Sequence, residues 1–543
     1  MSRLSRIQIA DQGGGVNAYN RMSEIGAGEI LPQSRNVRAN AEYCRPRGGY
    51  ITFADLLLGG NMTALGVYRR QLASNDVLVC AQDNDLLFIN PDTDAGWTPL
   101  GSLSTDQNVS FSGFGDWMFV YNGVDAPYRV AGVSVTQPFT KPDAVSGTFN
   151  PLFGEVYNGV NFVSGVEGFE NFVFSSKFAT AASPALIYNF AGGATTYGDG
   201  NQYAFPSRVT GIKKMGSVLV VFTVDGPWFT TGVTTVQTGS SSFVTKFEFQ
   251  PIIGASGCTN SKAIAVVGDD LFYLTPEREI KSIKRAMTGD FSALSVPLSI
   301  KVQQFITDEI DLDTSDTFMV YNDILKEVYV FFKTKDAIFN NICLVGDLNR
   351  PNSNGVPEWF IDTNKPFSCG TVWKGKTYFG SASIGQAYVD DEGYADDDNA
   401  DILTERYSKE FNMNNPTVYK NFREFVWFGE ITESTEVEID VYVDDVLVAT
   451  ETVDANDLLS QNSTTEGGIA TQPIADYAIA DEDDDSISPS DLFEVIKRIP
   501  LRVRGKKIQY VLRTDGTSNY YNGRYIEVSF IPINPLVNPL IEK

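Results

Sequence analysis

Apolar and polar residues alternate with a period of two along most of this 543-residue chain. Val77–Ala81 runs into Leu86–Ile89, Trp117–Tyr121 is followed by Asn122-Gly123, and Val218–Phe222 precedes Asp225-Gly226. Ala263–Val267 passes through Gly268-Asp269-Asp270 into Leu271–Leu274, and Glu327–Phe332 and Lys376–Phe379 repeat the theme. Runs rich in Val, Phe and Tyr, bounded by Gly, Asn and Asp, predict short strands joined by tight turns. Helical spacing is scarce. Ile300, Val302, Phe305 and Ile306 would share one face of a helix from about Leu298 to Ile310. A second helix is expected over Asp491–Ile496, because Ser488-Pro489-Ser490 resembles a capped start with Pro in the first turn.

The strand pairs recur. Similar modules begin near residues 64, 108, 160, 207, 260, 317 and 367. A spacing of roughly 45–55 residues falls in the range of propeller blades, whereas an ordinary sandwich lacks that longer beat. A single blade cannot cover both of its faces; stacking around a ring does. The expected fold is mainly β: a β-propeller of six or seven blades over 51–394, after an extended N-terminal arm over 1–50. A C-terminal antiparallel β-sandwich follows over 395–543. Val437–Val443 alternates cleanly, Asp444-Asp445 turns, and Val446–Val448 returns; Ile508–Leu512 and Tyr525–Phe530 alternate near the end. Between them lies a polar insertion near 453–490 that contains Asp481–Asp485, expected to be a loop.

Charge narrows the partners. The chain has 42 basic and 68 acidic residues, a net charge of −26. That argues against gripping nucleic acid non-specifically or docking on anionic membrane. With 43% hydrophobic and 20% charged residues, the chain can bury cores. The absence of His removes Ser-His and Cys-His catalysis, His-ligated metal and His-based pH switching. Cys44, Cys80, Cys258, Cys343 and Cys369 are odd in number and none are spaced C-x-x-C, so buried free thiols in a reducing compartment are expected. No apolar core follows Met1–Arg6 as in a signal peptide, and no run reaches the ~18 apolar residues of a membrane span. Membrane insertion is not expected.

Three motifs invite chemistry. Gly370, Gly375, Lys376 and Thr377 match the G-x-x-x-x-G-K-T phosphate-binding pattern. That chemistry needs a helix starting at Lys-Thr. Tyr378-Phe379-Gly380 is a poor helix, so a hairpin turning at Lys374-Gly375 is expected, with no cofactor. Asp396–Asp401 invites calcium, but an EF-hand loop needs Gly at position six and Glu at twelve, where this chain has Asp401 and Tyr407. A solvated turn is expected there and no metal is assigned, although an irregular divalent site near 390–401 stays open. Paired carboxylates for hydrolysis are not selected by any spacing, and Gly-x-Ser-x-Gly is absent. No catalytic residue is assigned.

The arm is unusual. It carries Arg3, Arg6, Arg21, Arg35, Arg38, Arg45 and Arg47 and few large apolar residues, and Gly13-Gly14-Gly15 is flexible. On an acidic protein a basic extended arm suits an acidic neighbour. Gly14, Gly15, Asn17, Arg35 and Arg38 are the candidate inter-subunit residues, and loss of residues 1–20 is expected to leave the fold intact but to prevent ring attachment.

The order of features resembles short-tailed phage tail nozzle proteins, also called tail hub, tubular or packaged-DNA stabilisation proteins. The resemblance rests on Gly14-Gly15-Val16-Asn17, Asn36-Val37-Arg38 and Arg45-Pro46-Arg47-Gly48. It extends through Phe119–Tyr128, Gly211–Phe222, Gly254–Cys258, Phe379–Ser381, Gly385–Tyr388, Asp396–Asp398 and Tyr419-Lys420 to a closing hairpin over Lys507–Phe530. It implies a non-enzymatic virion protein, made in the bacterial host cytoplasm. It also implies a homo-hexameric ring below the portal and adaptor, beside other tail proteins such as fibres or a needle or plug. Viral DNA would pass through the lumen without tight binding. A propeller-fold glycan hydrolase or lyase is one rival. A host-surface glycan-binding tail protein using exposed Trp228 or Trp359 is the other.

Overall fold

The computed structural model describes the chain except residues 1–3, 10–13, 21–24, 27–28, 40–42, 58, 71–75, 192–200, 238–242, 289–295, 352–354, 394, 397–399, 414, 455–491, 517–519 and 534–543. Seven small antiparallel sheets follow one another in sequence. The first runs Met62–Tyr68, Val77–Gln82, Asp85–Ile89, Thr98–Ser102, and the second Ser110–Phe114, Trp117–Tyr121, Tyr128–Ala131, Ser134–Thr136. The third starts at Phe153–Tyr157, the fourth at Val209–Met215, the fifth at Ile264–Val267, the sixth at Phe318–Asn322 and the seventh at Phe367–Trp373. The first strand of each sheet lies against the first strands of its two neighbours, and the seventh returns to the first. That closure makes the chain a seven-bladed β-propeller. The ring is sealed by chain order as well: the outermost strand of the seventh blade is Tyr50–Leu57, paired antiparallel with Gly385–Asp390.

Each gap between blades holds its own apolar cluster, because period-two strands present one apolar face to each neighbouring blade. The fifth blade has only three described strands. Its gap to the sixth is filled by helix Gln303–Glu309 and by Val16 and Ile30 of the arm. The helical expectation over Leu298–Ile310 therefore holds only for its second half. Residues 298–302 form turns, and Val302, Phe305 and Ile306 are the buried face.

Beyond the propeller, two sheets face each other. One contains Lys420–Ile431, Phe493–Gly505 and Tyr521–Pro532, and the other Thr404–Tyr407, Val437–Val443, Val446–Val453 and Ile508–Thr514. Phe425, Trp427, Ile439, Val441, Ile499 and Tyr510 pack between them. The arm does not stand apart. Ser5–Ile9 pairs with Ile526–Phe530, and Val37–Ala39 and Cys44–Pro46 extend the same sheet.

Three expectations are corrected. From Phe493 on, the segment read as a second helix is the start of the strand Phe493–Gly505. Val495, Ile499 and Leu501 are buried while Arg498, Pro500 and Arg502 are exposed, so period two overrides a plausible cap. Pro500 is tolerated because this is an edge strand and it sits at a register shift opposite Glu424. The closing hairpin is not one: Ile508–Thr514 and Tyr521–Pro532 belong to opposite sheets. Trp359 is fully buried, its indole N–H donating to the Leu298 carbonyl at 2.8 Å, and offers no exposed platform. The insertion near 453–490, with Asp481–Asp485, lies almost entirely outside the described residues.

Candidate functional site

The residues singled out in the arm converge on one place, the joint where the arm, the outer strand Glu358–Thr363 of the sixth blade and the start of the sandwich meet. Gly15 lies so close to Trp359 that a Cβ would sit 2.7 Å from its carbonyl oxygen, so only glycine fits. The Gly15 N–H donates to Glu358, and the Val16 N–H to the Trp359 carbonyl at 2.7 Å. Gly14, half-buried, precedes this contact. Asn17 is buried. Its side-chain oxygen accepts from the Tyr19 and Asn20 N–H groups, and its amide donates to Glu29 at 2.9 Å. Lys301 then bridges Glu29 at 2.8 Å and Glu358 at 2.7 Å.

The next arm segment crosses to the sandwich. Arg35 exchanges backbone hydrogen bonds with Glu405, at 2.8 and 3.1 Å, and its guanidinium lies over the Phe305 ring. Asn36 takes φ +57°, a left-handed conformation that Asn tolerates better than most residues. From there its amide donates to Thr363 and to the Leu403 carbonyl, and its oxygen accepts from Arg47 and the Thr363 N–H. One buried Asn thus ties blade, linker and arm. Arg38 grips Asp362 through two 2.6 Å bonds and stacks over Phe360. Arg47, 2% exposed, grips Asp396 through bonds of 2.7 and 2.5 Å. Lys365 pairs with Asp390 and lies 3.8 Å from Asp362. Of the described arginines in the arm, Arg38 and Arg47 meet buried carboxylates of their own chain.

Charges buried this deeply shift one another. Burial raises the Asp362 carboxyl, but Arg38, with Lys365 and Arg47, outweighs it and holds the group at about 2. For Asp390 and Asp396, burial wins over Lys365 and Arg47, and both are raised. Asp396, the first residue of the stretch expected to be a solvated turn, is buried, as is Asp390 at the end of strand Gly385–Asp390. No cluster of three metal-ligating side chains occurs among the described residues. Arg47, Asp362, Lys365, Asp390, Glu29 and Lys301 were not singled out from sequence as joint residues. Arg47 and Glu29 meet Asp396 and Lys301 hundreds of residues away, and Lys365 meets Asp390 across 25 residues, separations that no local pattern records.

The phosphate-loop pattern resolves into a hairpin between Phe367–Trp373 and Lys376–Ser381. Lys374 and Gly375 turn it with φ of +48° and +84°. The Thr377 hydroxyl is buried and accepts from Asn322, and Lys376 pairs with Glu392, so neither faces a phosphate cradle. All five cysteines are buried and free, as expected.

A second place gathers side chains from the whole ring. A central cavity of about 790 Å³ is lined by the first strands or their leading residues in all seven blades. Its charged residues are Arg69, Lys213, Lys214, Lys262 and one carboxylate, Glu155. Lys214 lies 4.0 Å from Glu155. Lys262 reaches from the fifth blade across the bore and donates to the Thr63 carbonyl of the first at 3.2 Å. Burial pulls its ammonium pKa down, with Asp316 and Asp106 among the groups opposing. Both of those acids line a smaller cavity of about 450 Å³, which shares Thr63 and Lys262 with the larger one. The Lys262 side chain therefore lies between the two. Trp228 sits elsewhere, half-buried in a cleft of about 540 Å³ with Tyr203, Phe205 and Phe249.

No family model matches the chain and no curated protein matches it. Among solved structures, the WD40 β-propeller domain of Doa1 covers 63% of this chain and 97% of its own at 11% identity, with a TM-score of 0.35. The β-propeller domain of Myceliophteria thermophila Cps50 (Swd1) covers 62% and 98% at 10% identity, with a TM-score of 0.35. The extracellular domain of a B. thetaiotaomicron one-component system covers 72% of this chain and 46% of its own, at 9% identity and a TM-score of 0.34. These are propeller likenesses of low identity, and the blade order above stands without them: the chain is a β-propeller protein with a strapped-on sandwich.

Proposed function

We propose that this chain is a structural subunit of a short-tailed phage tail. It would form a hexameric nozzle or hub ring below the portal and adaptor, extend the DNA channel, retain packaged DNA and guide its ejection. One observation carries the reading. The three arm motifs on which the resemblance rests fasten the arm: 14–17 to the sixth blade, and 36–38 and 45–48 to that blade and to the linker before the sandwich. Buried ion pairs are a poor source of net stability and suit a part that must hold one geometry. In this reading the chain performs no chemistry. Its own propeller bore, crossed by Lys262, does not admit a duplex, so the conduit is formed between copies, around the ring axis. Net charge of −26 supports passage without grip, since a negative wall repels phosphate.

The test is a phage deleted for this chain. Heads that package DNA and then lose it, with tails absent below the adaptor, are the expected result. Particles that keep their DNA and a complete tail would refute the reading. A second reading, host-surface glycan binding, draws on the aromatic cleft around Trp228. Unchanged host adsorption by a Trp228→Ala phage removes it.

A further inference from the structure

The chain as a whole has 68 acidic to 42 basic residues, yet its central cavity inverts that ratio. Arg69, Lys213, Lys214 and Lys262 stand against Glu155 alone. The first blade supplies Arg69, the third Glu155, the fourth Lys213 and Lys214, and Lys262 leads into the fifth. The charges therefore come from different sides of the ring and not from one basic stretch. Lys262 is half-buried and uses one of its three N–H donors on the Thr63 carbonyl. Its remaining donors are open to an acceptor inside the cavity. Phe111, Phe318 and Met319 line the same cavity, so charge contacts there act in a medium less polar than water and are correspondingly stronger. Glu155 is itself held by Lys213 and Lys214, which oppose the upward push of burial on its carboxyl. It cannot neutralise the remaining cations. A volume of about 790 Å³ is that of a small-molecule site.

We propose that the larger central cavity binds a multivalent oxyanion, with Lys262 as its floor and Arg69, Lys213 and Lys214 on its walls. The acidic side faces away: Asp106 and Asp316 line the smaller cavity beyond Lys262, so an anion entering from that side is repelled. The site is polarised, with a basic chamber and an acidic one on either side of a single lysine. Its occupant is a small organic or inorganic anion carrying two or more phosphate or carboxylate charges. This proposal is independent of the tail reading, since a propeller of any role could carry the site.

Isothermal titration of the full chain with inorganic pyrophosphate, and separately with citrate, tests it. Saturable one-to-one binding of at least one probe is expected, and the two arms separate phosphate from carboxylate preference. Lys262→Met should weaken that binding about tenfold or more, as expected for a lost charge-assisted hydrogen bond. Should Lys262→Met fail to fold, Lys213→Met/Lys214→Met decides, with the same expected direction. Lys284→Met, which removes an exposed lysine paired with Asp269 outside the channel, should leave binding unchanged. No saturable binding of either probe, or equal binding by wild type and a folded channel variant, overturns the proposal.

Discussion

At the residue scale the joint is decided by a few buried polar side chains. Asp362 carries the most. Its carboxyl is held near 2, against an ordinary value near 4, by Arg38 and the cations behind it. The folded state thus releases the Asp362 proton more readily than the unfolded state. Its contribution is fully present above about pH 4 and is lost as pH falls towards 2. Asp362→Asn should flatten that part of the acid-unfolding curve and lower stability at pH 7 by about 3–5 kcal/mol, because Arg38 is left buried without its partner. Urea titrations at pH 2.5, 4 and 7 measure both effects. Asp390 and Asp396 act oppositely: with raised folded pKa values, their ionisation weakens the folded state as pH rises through the window above the ordinary carboxylate value. The thiols are simpler. Burial pushes Cys369 up to about 11 and Cys258 up to about 12, so a thiol reagent at pH 7 should leave the native chain unlabelled until denaturant is added.

At the element scale, period two was a dependable guide and local capping was not. The module starts read from the sequence fall on or beside the innermost strand in six blades. In the third, the module start falls on the second strand, Val160–Ser164. The turn at Lys374-Gly375 was legible because a Gly between two strand runs readily takes the left-handed conformation a tight hairpin turn needs. Gly375→Ala places a side chain at φ +84° and 2.9 Å from Ile324; it should cost about 1–2 kcal/mol in a thermal melt. The strand Phe493–Gly505 was misread because Ser-Pro-Ser-Asp looks like a helix start, whereas sheet pairing over thirteen residues decides the outcome. The arm was also misjudged. Its polar composition hid that Val16 and Ile30 are core residues and that Ser5–Ile9 completes a sheet. The contacts of Val16 and Ser5–Ile9 argue for a loss of stability on removing residues 1–20. Removing 1–9 should free the edge of Tyr521–Pro532 and promote association, while removing 1–20 also empties the Val16 site and should lower the melting temperature by several degrees. Light scattering and calorimetry on the two truncations separate these effects.

At the scale of the whole molecule, the seventh blade closes on Tyr50–Leu57 and the arm before it continues into the sandwich sheet. One stretch of chain therefore locks the ring and fastens the second domain. The ring was legible because repetition leaves a beat in the sequence. The joint was not, because Arg38 meets Asp362 and Arg47 meets Asp396 across separations of 324 and 349 residues, which no local pattern records. The same long reach makes the joint a late event in synthesis, complete only when the sandwich has emerged. A part built this way suits assembly into a fixed conduit, and the central claim is that copies of this chain ring the DNA path of a phage tail. A reconstruction of the infectious particle by electron cryomicroscopy tests it most directly. The account predicts six-fold density for this propeller and sandwich directly below the adaptor, with a continuous axial channel between copies. Absence of the chain from the tail axis, or its presence only as single peripheral copies, would contradict it.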